Sequence, residues 1–344
     1  MSQPVTILPT TITGSSIKPQ WKRELAGAET SVANLLERLN LVEHIDLITS
    51  SPDFKCLVPD SYIAKMQPGD INDPLLRQVL PLQEEERAAL QTRGILDPVG
   101  DLNAQTSPGI LHKYKGRALL ITTGACAIHC RYCFRRHYPY QQASFSKRRL
   151  HDTLEYLSSH DEIDEIILSG GDPLVLDNER LSKLVCELES VEHIRTLRIH
   201  SRIPVVLPSR IDTGLLDLLK HSRFQIVMVI HANHANELQH DELERLSALH
   251  QAGATLLNQS VLLRGINDDV STLAALSKRL FQCKTLPYYL HSLDPVAGAM
   301  HFEVDKTAAL KIKEEMDAQL PGYLVPRLVE EIAGKQSKSA IFRI

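Results

Sequence analysis

Gly124-Ala125-Cys126-Ala127-Ile128-His129-Cys130-Arg131-Tyr132-Cys133-Phe134-Arg135-Arg136 places three cysteines within eight residues, in the pattern C-x3-C-x2-C. The stretch directly follows a strand-like apolar run at 118–122. The chain has 6 cysteines in 344 residues, too few for a disulfide scaffold, so their crowding reads as a ligand pattern. Three thiolates on one loop can hold three irons of a [4Fe-4S] cluster, and with no fourth cysteine nearby one iron keeps an open position. An open iron can chelate amine and carboxylate groups, whereas an electron-transfer cluster usually has four protein ligands. Two other readings use the same residues: a structural zinc site completed by His129 or His137, and a group of buried core cysteines. The strand-to-loop context and Tyr132 before the third cysteine favour iron–sulfur.

Outward from this loop, strand-like runs at 118–122, 165–168, 196–200, 225–230, 255–263 and 286–291 alternate with helical patterns near 147–159, 178–190, 211–221, 235–252, 270–282 and 305–318. Six βα units in succession predict an α/β fold with a parallel sheet, doubly wound or curved into an incomplete barrel, because buried parallel strands need crossover helices outside. Polar and glycine-rich residues follow the strands at 123–133, 169–173, 201–204, 231–236 and 292–298, the rim where such folds carry their sites. Ahead of the barrel, helical spacing at 31–41 and 73–80, broken by Pro52, Pro59, Pro68, Pro74 and Pro81, predicts a helical arm or cap. Loop chemistry at 97–109 marks the boundary, giving an arm over 1–108, a barrel over 109–325 and a closing segment over 326–344.

Composition limits the function. Apolar residues make up 43% and charged residues 23%, with net charge −4, which is ordinary for a soluble globular protein and leaves no electrostatic footprint for nucleic acid. No apolar run approaches membrane-spanning length, and residues 1–12 lack the charged and apolar regions of a signal peptide, so a cytoplasmic protein with no membrane role is expected.

Cys126, Cys130, Tyr132 and Cys133 resemble the signature of the radical S-adenosylmethionine (SAM) superfamily, which implies a partial (β/α)6 barrel, a [4Fe-4S] cluster and SAM bound at the open iron. Ser169-Gly170-Gly171-Asp172-Pro173 then resembles the loop that contacts the methionine amino group; two glycines let a ligand approach and leave backbone N–H groups exposed. His231 and His234 have the spacing of a metal pair, but the resemblance places His231 beside SAM.

Within that superfamily the similarity narrows to the lysine 2,3-aminomutase family. It runs through Asp73-Pro74-Leu75-Leu76-Arg77-Gln78-Val79, Cys133-Phe134-Arg135-Arg136, Ser201-Arg202-Ile203-Pro204-Val205-Val206, His231-Ala232-Asn233-His234, Asn258-Gln259-Ser260-Val261-Leu262 and Pro287-Tyr288-Tyr289. The resemblance implies pyridoxal phosphate (PLP) held covalently by a lysine near the C-terminus. In Gly334-Lys335-Gln336-Ser337-Lys338-Ser339 it falls on Lys338, with Lys335 as competitor. Lys113 and Arg117 match phosphate contacts, with lysine in place of the usual arginine at the first, and Gln259 matches a further polar contact. Arg135 matches the substrate-carboxylate arginine, a role suited to its guanidinium fork. Asp294 and Glu331 match the carboxylates that hold the distant ammonium of a basic substrate, Glu331 replacing an aspartate.

The implied activity is an isomerase that moves the α-amino group of L-lysine to the β-carbon, with a flavodoxin- or ferredoxin-type electron donor. In length and ending the chain resembles the branch that makes (R)-β-lysine for elongation factor P, which implies a pathway link to that factor's ligase. Two alternatives stand beside this: an aminomutase for another amino acid such as glutamate, and a non-catalytic iron–sulfur redox or binding protein.

Overall fold

The computed structural model describes residues 18–49, 54–86, 94–107, 109–143, 147–335 and 337–342. The reading of residues 1–12 and the residue Gln336 lie outside them. A single open sheet has ten strands in chain order: β1 (Gln105–Ser107), β2 (Ile110–Tyr114), β3 (Arg117–Thr123), β4 (Glu165–Gly170), β5 (Thr196–Ser201), β6 (Gln225–Ile230), β7 (Thr255–Val261), β8 (Leu286–His291), β9 (Arg327–Glu330) and β10 (Ser339–Ala340). Strands β3 to β9 pair in parallel, while β1, β2 and β10 add antiparallel edges.

Strands β3 to β8 are those the alternation predicts. β4 is buried along nearly its whole length, the pattern of a strand covered on both faces. The strand expected over 255–263 stops at Val261, because Asn267 turns the chain by accepting from Leu263 N and donating to Val261 O. Lys113, expected just ahead of the first strand, lies in β2, which reverses into β3 at Gly116 (φ 84°). A loop was expected at 201–204, yet Ile203–Val206 forms a helical turn.

Helices Lys147–Ser158, Asn178–Glu189, Thr213–His221, His240–Gln251, Val270–Gln282 and Lys306–Gln319 cross between strands. Asp177, Asp212, Asp269 and Asp305 each cap one by accepting from a first-turn N–H, a contribution of about 1 kcal/mol apiece. The N-terminal arm contains helices Gln20–Ala26, Val32–Arg38 and Asp60–Ile63. The helix expected over 73–80 is one 3-10 turn, Leu76–Gln78, because the Asp73 carboxylate takes the N–H groups of Leu75, Leu76 and Gln67. Lys65 ties the arm to the barrel, donating to Val205 O, Glu237 O and Glu242 Oε1 at 2.7–3.0 Å. Among the described residues no helix is long and apolar enough to cross a membrane.

Candidate active site

A cavity of about 320 Å³ opens at the C-terminal ends of the parallel strands. Every residue to which the resemblance gives a cofactor or substrate role lines it: Cys126, Cys130, Cys133 and Arg135 from the loop after β3, Ser169 to Asp172 from β4 and its loop, His231 after β6, Gln259 on β7, Asp294 after β8, Glu331 after β9, Lys338 before β10, and Lys113 and Arg117 from the β2–β3 hairpin; the alternatives His129, His137, His234 and Lys335 do not. Lys335 is exposed.

The three cysteines are not gathered about one point, and among the described residues no group of His, Cys, Asp or Glu side chains could hold a single metal ion. A zinc site completed by a histidine has no geometry here: His129 Nδ1 bonds Lys55 O, and His137 Nε2 faces Ala297 O. Nor do His231 and His234 pair, since His234 accepts from Asn236 N and caps the next turn. Burial and mutual repulsion push the thiols of Cys126 and Cys133 up, the latter to about 11, so holding them as thiolates requires a bound metal.

The Gly-Gly loop departs from expectation. Gly171 N–H donates to Thr123 O and Asp172 N–H to Ala125 O, so these donors tie β4 to the cysteine loop rather than standing free. A Cβ on Gly171 would lie 2.2 Å from Ala125 O, which is why this approach excludes any side chain. The Asp172 carboxylate accepts from Leu174 N, Ser201 Oγ, Arg202 N and Ile203 N, joining two rim loops; burial lifts it to about 6 against those four donors.

The Radical SAM superfamily profile matches residues 120–275. The chain is 44% identical over 327 residues to the L-lysine 2,3-aminomutase of Escherichia coli (strain K12), covering 94% of this chain and 95% of that one. It is 42% identical to the Haemophilus influenzae L-lysine 2,3-aminomutase, covering 93% and 94% of the two chains. With the Clostridium subterminale L-lysine 2,3-aminomutase it shares 33% over 81% of this chain and 67% of that one. The chain belongs to the lysine 2,3-aminomutase family. As a lysine 2,3-aminomutase homologue it is a radical SAM isomerase, and the superfamily implies a [4Fe-4S] cluster and SAM.

The aminomutase cavity also contains residues that the motifs passed over. Asp101, buried, accepts from Arg135 Nε at 2.6 Å and lies 2.6 Å from Lys113 Nζ, so it bridges two predicted binding cations. Burial opposes its charge, but Arg135 and Lys113 hold its carboxyl below the usual range. Arg135 Nη1 donates to Ser169 Oγ. Glu331 Oε2 accepts from Lys338 Nζ at 2.8 Å, and its Oε1 takes the Tyr114 hydroxyl. Lys338 Nζ also lies 5.7 Å from the Tyr289 ring centre.

Burial pushes Asp294 up to about 7, with Lys338 opposing that rise and Glu331 adding to it. Burial likewise drives His231 down to about 3 and His200 and His291 well below their ordinary value, so all three are neutral imidazoles. His231 Nε2 bonds the Tyr132 hydroxyl at 2.7 Å. Gln259, His200 and His291 each present a buried side-chain nitrogen with no hydrogen-bond partner among the described residues, and all three line the cavity. An unmet amide donor on Gln259 and two unpartnered imidazole nitrogens, in a cavity also lined by Lys113 and Arg117, fit a polar ligand that carries an anionic group.

Proposed function

We propose that this chain moves the α-amino group of L-lysine to the β-carbon, with a cluster on Cys126, Cys130 and Cys133, SAM beside it, and PLP on Lys338. The observation that carries the reading is the meeting, in one cavity, of the three-cysteine loop with Lys338 and the carboxylates Asp294 and Glu331. When bound, the cluster and SAM supply a hydrogen-abstracting radical, and PLP supplies a conjugated system over which the migrating nitrogen's radical spreads.

The residues have separate tasks. Arg135, pre-oriented by Asp101 and Ser169, takes the substrate carboxylate. Lys338 must lose a proton before its amine can condense with an aldehyde, and Glu331 at 2.8 Å is the acceptor in place. That proton passes on to solvent, so Glu331 stays a carboxylate; with Lys338 left as a neutral amine, Glu331 would join Asp294 around the substrate's distant ammonium, a pairing that draws Asp294 back to its ionised form. The same carboxylates disfavour glutamate. Lys113, Arg117 and Gln259 serve the PLP phosphate, and Ser169, Gly170, Gly171, Asp172 and His231 form the SAM side. The arm over 1–108 caps the site and the segment over 326–344 closes it.

The product is assigned as (R)-β-lysine destined for elongation factor P through its ligase, with electrons from a flavodoxin- or ferredoxin-type donor. The relatives support lysine as the substrate of the amino shift; the enantiomer, the elongation factor link and the electron donor follow from the sequence resemblance alone. The test is anaerobic reconstitution with iron, sulfide and PLP, then SAM, dithionite and L-lysine, with chiral analysis of the product. The R product is expected. The S product would retain the mutase and remove the elongation factor assignment; SAM cleavage without β-lysine would defeat the substrate assignment.

A further inference from the structure

Arg202 follows the last residue of β5 and its guanidinium is buried at 7% side-chain exposure. Its backbone N–H is held by Asp172 Oδ2 at 2.8 Å. Nη1 donates to Cys130 Sγ at 2.6 Å, while Nη2 is anchored by Gln78 Oε1 at 2.7 Å, Glu237 Oε2 at 2.9 Å and the Tyr62 hydroxyl at 3.2 Å. Gln78 and Tyr62 come from the arm, so the guanidinium is gripped from two sides of the molecule. Asn233 extends the network, donating to Gln78 Oε1 and to the Tyr132 hydroxyl.

We propose that Arg202 is a positioning residue that sets the reduction potential of the cluster through its hydrogen bond to Cys130, with Glu237 as the opposing charge. The inference rests on the cluster assignment above. Hydrogen bonds to cluster sulfurs, net charge and burial are the levers on such potentials. Reduction adds one negative charge, which a fixed guanidinium at a ligating sulfur favours and a buried carboxylate behind it opposes. Arginine suits the role because it stays charged when buried and can hold Cys130 and its anchors at once.

The experiment is an anaerobic redox titration of the reconstituted full-length chain, followed by electron paramagnetic resonance of the reduced cluster without SAM, alongside iron and sulfide analysis. Wild-type chain lacking a four-iron cluster would defeat the cluster assignment itself. With the cluster present, Arg202→Gln is expected to lower the reduced-to-oxidised ratio at fixed poise about tenfold, which is about 59 mV for one electron. Arg202→Lys should fall between, and Glu237→Gln, which keeps the guanidinium, should shift the ratio the opposite way. If Arg202→Gln loses iron, the Lys and Glu237 variants carry the decision. Loaded variants whose ratios all match wild type would overturn the proposal, as would Glu237→Gln moving with the Arg202 variants.

Discussion

Lys338 Nζ and Glu331 Oε2 are joined by a 2.8 Å hydrogen bond at the rim of the cavity, whereas Lys335, three residues earlier, is exposed to solvent. The two lysines are therefore chemically distinct. Lys338→Ala is expected to abolish both the protein-bound PLP absorbance and β-lysine formation while iron content is kept; Lys335→Ala should leave all three unchanged. PLP absorbance that persists in Lys338→Ala and vanishes in Lys335→Ala would reverse the assignment.

Asp294 gives the site a pH signature. Its folded-state value of about 7 exceeds the ~3.9 of an unfolded aspartate, so the folded chain binds the proton more tightly. Stability is lost as pH rises from about 4 to 7, and the penalty is constant above that. Asp294→Asn removes the ionisation, and should be more stable than wild type at pH 8 by on the order of 2 kcal/mol, allowing for solvent screening in an open cavity. The gap should close by pH 4. Denaturant unfolding at both pH values checks it, and a gap that widens toward acid would contradict the burial of this carboxyl.

Asp101 couples two cations that sequence motifs treat separately. Asp101→Asn leaves Arg135 and Lys113 without their shared carboxylate. The loss of a charge-assisted hydrogen bond, roughly 1.5–3 kcal/mol, predicts a fall in kcat/KM for lysine of about 10- to 100-fold. Arg135→Lys, which cannot span Asp101 and Ser169, should fall at least as far, mainly through KM. Steady-state kinetics separate the two parameters.

Gly171 packs against the backbone of the cysteine loop, and no flexible side chain is there to yield. Gly171→Ala is expected to cost roughly 1–3 kcal/mol by overpacking and to reduce iron bound per chain, since the displaced segment includes Ala125, adjacent to Cys126. Iron analysis with thermal unfolding tests both; full iron loading at unchanged Tm would mean the loop adjusts freely.

The central strands and their helices were legible because apolar runs of strand length alternate there with helical spacing; Asp177, Asp212, Asp269 and Asp305, which that reading did not use, cap four of those helices. The edge strands were not, since β2 reads as a mixed polar segment and β10 has two residues whose pairing depends on β9 being present. Asp101 lies in a stretch of Asp, Pro, Gly and Asn, where an acid looks like a turn residue. Arg202 stood inside a quoted motif, but its partners Gln78, Glu237 and Cys130 come from three separate segments. An arginine directly after a buried strand, at a rim dense in apolar residues, was the one signal available. The glycines of the 170–171 turn were read as letting a ligand approach and as a source of free N–H groups; the group that approaches Gly171 is the chain's own backbone, and it takes the N–H groups of Gly171 and Asp172.

A sheet whose strands lie side by side in the order they are synthesised also has a history written into it. Each strand can dock on a neighbour already made, at little loop-closure cost, as the chain emerges at about 5–20 residues per second. The cavity wall does not follow that convenience: Lys113 and Arg117 come from the β2–β3 hairpin, while Glu331 and Lys338 arrive with its last two strands. The loop with Cys126, Cys130 and Cys133 therefore leaves the ribosome about two hundred residues ahead of Glu331 and Lys338, the residues that complete the cavity's far wall.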